Sequence, residues 1–424
     1  MSTRHPSADI VASLGTELEG KRIVLCMSGS VAAVKSSDLA RLLMRHGAEV
    51  YPVMSRAATR IIHPDLMEWA TGHKPVTSLS GKIEHVALAG NVTDRADLVI
   101  VAPATANTIG KIACGIDDTP VTTVVTTAIG EGIPLIIVPA MHESMYRHPF
   151  VKENIEKLRS HGIRVIEPRI EESKAKIAQA SDIYDEVLRV IGPDHILEGV
   201  RILITAGRTV EYIDPIRVIT NNSSGKMGVA LATAAVRLGA EVTLIYGRGT
   251  AVPPLSVKLV RVETSDSMFE AVKNELSEKQ YDVFIGAAAV GDWKPREKAE
   301  TKISTHLQER LSIELVATPK IIDTVKDIAP DIFLVAFRAI TAPDEASLIA
   351  EARERLISAR ADLIAVNDVG KPGRGFESDT NELFVIDRQT TEHIKLSTKE
   401  EVGLNLLRII SSRMHGRKHP VKEE

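Results

Sequence analysis

Lys21-Arg-Ile-Val-Leu-Cys-Met-Ser-Gly-Ser30 and Val200-Arg-Ile-Leu-Ile-Thr-Ala-Gly207 open the two halves of the chain in the same way. Each is a short β-branched run that ends in small residues. A helical pattern follows, over 31–46 in the first half and 228–238 in the second. Then comes Gly-Ala-Glu-Val, at residues 47–50 and again at 239–242. The glycine falls just past the helix, where a left-handed cap is expected. Working outward, further strands are predicted at 49–54, 98–102 and 134–138, then at 241–246, 281–286, 332–336 and 363–366, besides the opening strands 22–27 and 201–205. Helical patterns at 267–277 and 345–360 lie between them. The strands lack polar alternation, which is how strands buried on both faces read. Alternating β and α elements imply parallel sheets covered by helices. The fold class is therefore α/β, with two doubly wound domains.

The bulk composition agrees. A chain of 424 residues is too long for one core. Its apolar share of 44% and charged share of 25% are those of an ordinary globular protein. A net charge of −4 argues against nucleic acid or a membrane surface as partner. The two cysteines, Cys26 and Cys114, make neither a disulfide framework nor a metal cluster. No stretch approaches the ~20 apolar residues of a membrane helix, and residues 1–20 carry no apolar run. A cytoplasmic setting is expected. The Gly-Pro break at 192–193 places the domain boundary. The expected organisation is a tail over 1–20, a domain over 21–190, a linker over 191–198, a second domain over 199–413 and a basic tail over 414–424.

Ligands of open parallel sheets bind beyond the carboxyl ends of the strands. Ser28-Gly-Ser-Val-Ala32 follows the first strand, and its backbone N–H groups suit a phosphate. Ser55 follows the second strand. Ala102-Pro-Ala-Thr-Ala-Asn107 and Pro139-Ala-Met-His-Glu-Ser-Met145 follow two more. Singly these are turns, and a serine after a strand also serves as a helix N-cap. Neither half carries G-x-G-x-x-G or G-x-x-x-x-G-K-[ST]. His85 stands at a helix entry, and an imidazole there can move a proton near neutral pH. His63, His73 and His142 compete with it on composition alone.

In order, Ser28-Gly-Ser, Ser55, His85, Ala102-Pro-Ala-Thr-Ala-Asn-Thr108 and Pro139-Ala-Met…Met145 resemble the homo-oligomeric flavin-containing cysteine decarboxylases, a flavodoxin-like family, over about 21–180. The resemblance implies FMN held near Gly29, Ser30, Ser55, Ala104 and Thr105. It implies a catalytic His85, with substrate contacts at Asn107, Asp118, His142 and Met145. In the second half, Ile204-Thr-Ala-Gly-Arg-Thr, Asp214-Pro-Ile-Arg217, Thr220-Asn-Asn-Ser-Ser-Gly-Lys-Met-Gly228, Gly286-Ala-Ala-Ala-Val290, Asp292, Lys302, Ala336-Phe337 and Asn367-Asp368…Gly375-Phe-Glu-Ser-Asp379 look like phosphopantothenate–cysteine ligase, a Rossmann-like domain, over about 199–413. This implies CTP and Mg2+ or Mn2+, an acyl-cytidylate, and Asn221 acting when cysteine attacks it. Ala288, Ala289, Asp292, Lys302 and Phe337 are the implied nucleotide contacts. The polar segment 296–310 reads as a flap over the triphosphate.

Together the resemblances imply that L-cysteine is joined to 4'-phosphopantothenate and the product decarboxylated to 4'-phosphopantetheine. They also imply a homo-oligomer with trimeric flavin domains and dimeric ligase domains. The metal ligands stay open. Three positions depart from the decarboxylase pattern: His142 replaces an asparagine, as does Asp118, and Tyr146 replaces a tryptophan. In the ligase half, Ile340 replaces a glutamate and Arg338 intrudes. Many relatives carry a proton-donating cysteine in a substrate-closing loop. Here that stretch reads Glu171-Glu-Ser-Lys-Ala-Lys-Ile177, where Lys174 and Lys176 are the alternative acids. An active ligase fused to a flavin-binding scaffold or regulatory domain is the competing reading.

Overall fold

The computed structural model describes residues 5–171, 174–192, 195–304, 310–341 and 344–418. The chain divides into two compact units, Met1–Pro193 and Asp194–Glu424.

The first unit carries strands β1 Arg22–Met27, β2 Glu49–Met54, β3 Leu98–Ala104, β4 Leu135–Pro139, β5 Met141–His142, β6 Arg164–Val165, β7 Arg169–Glu171 and β8 Lys174–Lys176. Its main sheet is parallel in the order β2-β1-β3-β4-β6. That order puts the topological switch between β1 and β3. Val24, Cys26, Val99, Val101 and Ile137 pack on helix Pro120–Gly130. Ile23, Leu25, Ile100 and Ile136, which alternate with them, are also buried, so both faces are covered. This is why the strand sequences run apolar without a break. β3 extends two residues beyond the predicted strand, so Pro103 and Ala104 belong to the sheet and the loop begins at Thr105.

Residues 5–20 are more than a tail. A short 3-10 helix, Pro6–Ile10, is followed by a segment whose Leu18 is fully buried and donates its N–H to His46 O. Antiparallel β7 and β8 form a hairpin that pairs on to β5, with Met141 opposite Ala175 and His142 opposite Lys174.

The second unit carries β9 Arg201–Ala206, β10 Val210–Tyr212, β11 Val218–Thr220, β12 Glu241–Tyr246, β13 Lys258–Arg261, β14 Val283–Gly286, β15 Trp293–Pro295, β16 Leu315–Ala317, β17 Phe333–Ile340, β18 Leu363–Asp368, β19 Thr380–Ile386 and β20 Thr391–Thr398. The main sheet runs β13-β12-β9-β14-β17-β18-β19-β20, parallel as far as β18 and antiparallel beyond it. Its switch lies between β9 and β14. Helix Lys226–Arg237 and helix Lys399–Lys418 cover one face; Ser265–Glu278, Ile321–Ile328 and Glu345–Ser358 cover the other. Gly47 and Gly239 have φ of +100° and +94°, the left-handed caps their position required.

Two expected boundaries shift. Leu197, placed in the linker, is fully buried in the second core. The basic tail begins as helix: Val402, Leu406, Leu407, Ile410 and Met414 put one buried stripe on Lys399–Lys418.

Candidate functional site

In the first unit the loops meet at the β1/β3 switch. Ser28 donates its Oγ to Pro103 O at 2.7 Å and accepts the Thr105 N–H at 2.9 Å, which ties the ends of β1 and β3 together. Ala140 N donates to Ala104 O at 3.0 Å and brings the Pro139 loop alongside. Ser55 joins the same edge through its N–H to Met27 O at 3.0 Å. Ser30 caps the 3-10 helix Val31–Lys35, Ser55 Oγ accepts the Ala58 N–H, and Thr105 caps helix Ala106–Ala113. These three hydroxyls therefore do the local capping that their sequence also allowed, while sitting on one rim. Gly29 is there for space: a Cβ on it would lie 2.4 Å from Ala57 Cβ. A rim of small residues and hydroxyls at a switch point is the kind of place where open parallel sheets bind an anionic ligand.

The other sequence candidates lie on the segments that follow β3 and β4. Asn107 is exposed on helix Ala106–Ala113, and Asp118 is exposed and paired to Lys111 at 2.7 Å. His142 caps the single helical turn Glu143–Tyr146 through Nδ1, and Met145 is exposed on that turn. Tyr146 hydrogen-bonds Glu167, which also pairs with Arg159. Burial and the Glu167 hydrogen bond push the Tyr146 phenol far up, so it is neutral at ordinary pH.

His85 lies on helix Glu84–Ala89, which packs against helix Pro120–Gly130. Its Nδ1 is buried and, among the described residues, has no hydrogen-bond partner. The helix starts from Ile83 at φ +48°, a left-handed conformation that a β-branched residue adopts only under strain. A buried, unsatisfied ring nitrogen costs roughly 1–3 kcal/mol, so a partner that arrives with a ligand is its natural complement. Cys26 is buried inside β1, and burial pushes its thiol well above the ordinary range. Cys114 is exposed at the end of helix Ala106–Ala113.

In the second unit a cleft of about 280 Å³ opens at the carboxyl ends of β14, β17 and β18. Asn221, Ala288, Ala289, Asp292 and Phe337 all line it. Asn221 Nδ2 donates to Ala289 O at 3.2 Å and Val290 O at 3.1 Å. Its nitrogen is thus engaged and its oxygen is the acceptor left for a ligand. Asp292 pairs with Lys320, and Thr318 N donates to Asp292 O at 3.0 Å.

Lys302 is exposed, and its chain neighbour Ile303 is clipped to a distant loop. The Ile303 N–H reaches Asp214 Oδ2 at 3.2 Å, and Arg217 donates to Ile303 O at 3.0 Å. The Arg217 and Ile216 amides and the Arg217 guanidinium hold the Asp214 carboxyl well below the usual range. The polar segment 296–310 is the connection of the β15–β16 hairpin, and its residues 305–309 lie outside the described ones.

Several cleft residues escaped sequence reasoning as site residues: Lys226, Arg338 and Lys399, together with Lys320 behind Asp292. Lys226 sits inside the Asn221–Gly228 motif, which was the available signal. Among the described residues no group of three or more His, Cys, Asp and Glu side chains is placed to hold a metal. No helix among them is long and apolar enough to cross a membrane.

Two family models match the chain in tandem. The flavoprotein family covers residues 11–192, and the C-terminal domain of DNA/pantothenate metabolism flavoproteins covers 197–414. The chain is 52% identical to the coenzyme A biosynthesis bifunctional protein CoaBC of Thermococcus kodakarensis, over 94% of this chain and 96% of that one. It is 37% identical to the protein of the same name from Methanocaldococcus jannaschii, over 93% and 95%. Against the Escherichia coli protein the identity is 36%, over 93% and 98%. Both domains in this order, with such identity along nearly the whole length, show that the chain belongs to the family of coenzyme A biosynthesis bifunctional proteins, a flavoprotein decarboxylase followed by a ligase.

Proposed function

We propose that the second domain joins L-cysteine to 4'-phosphopantothenate with CTP, and that the first decarboxylates the product, 4'-phosphopantothenoylcysteine, to 4'-phosphopantetheine with FMN. The observation that carries this reading is the single cleft that gathers Asn221, Ala288, Ala289, Asp292 and Phe337 from separate stretches of the chain.

In the ligase, the 4'-phosphopantothenate carboxylate attacks the α-phosphorus of CTP, and pyrophosphate leaves. The cysteine amine then attacks the acyl carbon and CMP leaves. Asn221 serves the second step: with Nδ2 held by two carbonyls, its Oδ1 accepts the amine N–H and aims the lone pair. Phe337 offers a face to the base, Ala288 and Ala289 their backbone, and Asp292 a carboxylate. Lys302 closes on the phosphates from the 296–310 segment. A divalent cation, Mg2+ or Mn2+, comes with the triphosphate, as is usual where a protein supplies few carboxylates.

In the decarboxylase, the rim would hold the cofactor: Gly29 lets the loops after β1 and β2 pack closely at Ala57, and Ser30, Ser55, Ala104 and Thr105 border the site. FMN bound there supplies a two-electron sink for the cysteinyl group. His85 moves a substrate proton through its imidazole, whose Nδ1 has no protein partner. Asn107, Asp118, His142 and Met145 contact the substrate. The stretch 171–176, whose residues 174 and 175 pair with His142 and Met141, closes over it, and Lys174, Lys176 or water held by the stretch supplies the acid in place of the missing cysteine. Trimeric flavin domains and dimeric ligase domains complete the assembly; Val31 and Phe150, 75% and 67% exposed, are apolar surface available for it. The setting is cytoplasmic.

The test is Asn221→Asp. It removes both hydrogen bonds and sets a carboxylate against two carbonyl oxygens. The reading expects pyrophosphate release to continue while an acyl-cytidylate accumulates and ligation stops. Loss of CTP binding itself would overturn the assignment.

A further inference from the structure

The five residues Gly375–Asp379 form a loop whose Gly375 and Phe376 wall the ligase cleft. Each of the five gives an oxygen to a donor from elsewhere. Lys399 Nζ donates to Gly375 O at 3.4 Å, Phe376 O at 3.3 Å and Ser378 O at 2.5 Å. The Lys399 N–H donates to Asp379 O at 2.9 Å. Ser224 Oγ takes Phe376 O at 2.6 Å, and Lys226 Nζ takes Glu377 O at 2.9 Å and Asp379 Oδ1 at 2.5 Å. Ser224 belongs to the loop that carries Asn221 and Lys226 opens the helix that follows it, so the wall is bolted to that loop–helix junction on one side and to the final helix on the other.

Lys399 is the unusual member. It is 6% exposed, and among the described residues its ammonium meets carbonyl oxygens rather than a carboxylate. Burial pushes it down to about 8, with Lys226 acting in the same direction and Asp379 opposing. Burying an ammonium is costly, and an apolar side chain in place of a buried charge is often neutral or stabilising. Folding alone therefore gives no reason for a lysine here, whereas holding three carbonyls of a cleft wall does.

We infer that Lys399 is a positioning residue of the ligase, which acts through the loop Gly375–Asp379 to set Gly375 and Phe376 against the nucleotide. The inference rests on the reading of this cleft as the ligation site. A loosened wall binds nucleotide poorly in ground state and transition state alike, so the loss falls on KM rather than kcat.

The experiment uses the full chain with Lys399→Met and Lys399→Gln, and follows ligation, hydrogen exchange and thermal unfolding. Lys399→Met is expected to raise the KM for CTP about tenfold or more with kcat changed less than about threefold. Peptides covering 375–379 should exchange faster, while the melting temperature holds or rises. Lys399→Gln, which keeps two donors, should fall between. Decarboxylation of supplied phosphopantothenoylcysteine should be unchanged. An unchanged KM for CTP, or a ligase loss that simply tracks a lower melting temperature, overturns the inference. Asn221→Asp, measured alongside, separates the two failures. If it leaves ligation untouched, the cleft itself is misassigned and the inference falls with it. If it blocks ligation while Lys399→Met leaves KM alone, the Lys399 inference alone falls.

Discussion

Gly29→Ala is the sharpest probe of the flavin cradle. The added methyl carbon would stand 2.4 Å from Ala57 Cβ. Carbon atoms rest at about 3.5–4.0 Å, so the β1 and β2 loops must part by roughly 1 Å. The atoms it would meet are the Ala57 Cβ and backbone, and neither can swing aside as a long side chain would. Overpacking of this kind costs ~1–3 kcal/mol. If the two loops part in the apoprotein, most of that strain is released there. A cofactor phosphate bound at the proposed rim would hold them together and restore it. The cost then appears in binding, as a dissociation constant for FMN raised about 5- to 150-fold. The assay is a fluorescence titration of apoprotein with FMN, paired with thermal unfolding of the apoprotein and a ligase assay as internal control. A dissociation constant within about twofold of wild type refutes the reasoning. So does a cost that appears wholly as lost apoprotein stability, because Gly29 would then serve only the packing of β1 on β2.

Three further outcomes follow from the geometry. His85→Asn should abolish decarboxylation while the protein stays yellow, since the orphaned Nδ1 is not part of the phosphate rim; a colourless or misfolded product would make His85 structural. Lys302→Gln should raise the KM for CTP by about tenfold or more, as loss of one charge-assisted phosphate contact costs ~1.5–3 kcal/mol, and should leave decarboxylation intact. A matching loss in both assays would refute separate sites. Cys114→Ser should yield normal 4'-phosphopantetheine, as should Cys26→Ser; a product from Cys114→Ser that is lighter by two hydrogens would identify Cys114 as the acid.

The parallel strands of the sheet interiors were legible because burial on both faces leaves continuous apolar runs: β1, β2 and β12 span the residues their sequence predicts, each a charged residue followed by a buried run. The antiparallel edge was not. β20 has one buried residue, Ile394, so Thr391–Thr398 reads as a polar loop; at the opposite edge the short parallel strand β13 is mostly exposed and was hidden for the same reason. The final helix hid because its buried stripe lies among charges in a stretch that reads as a solvated terminus. At the site, glycine- and alanine-rich motifs exposed the loops that approach a ligand closely. Which lysines serve the cleft was not legible, because that depends on segments brought together by the sheet. Lys399 looks like a solvated helix start, yet it is buried beneath a loop more than twenty residues before it. Lys302 stood out only by resemblance, and the structure ties its neighbour Ile303 to Asp214 and Arg217 rather than to the cleft lining.

The central claim is that one chain performs ligation and then decarboxylation although its closing segment lacks a cysteine. Its most direct test is to incubate the purified wild-type protein with 4'-phosphopantothenate, L-cysteine, CTP and Mg2+ and to follow the products by mass. The account predicts pyrophosphate and CMP, a transient 4'-phosphopantothenoylcysteine, and then 4'-phosphopantetheine, lighter by one carbon dioxide. A reaction that stops at 4'-phosphopantothenoylcysteine on flavin-loaded protein would contradict it and leave the first domain a scaffold.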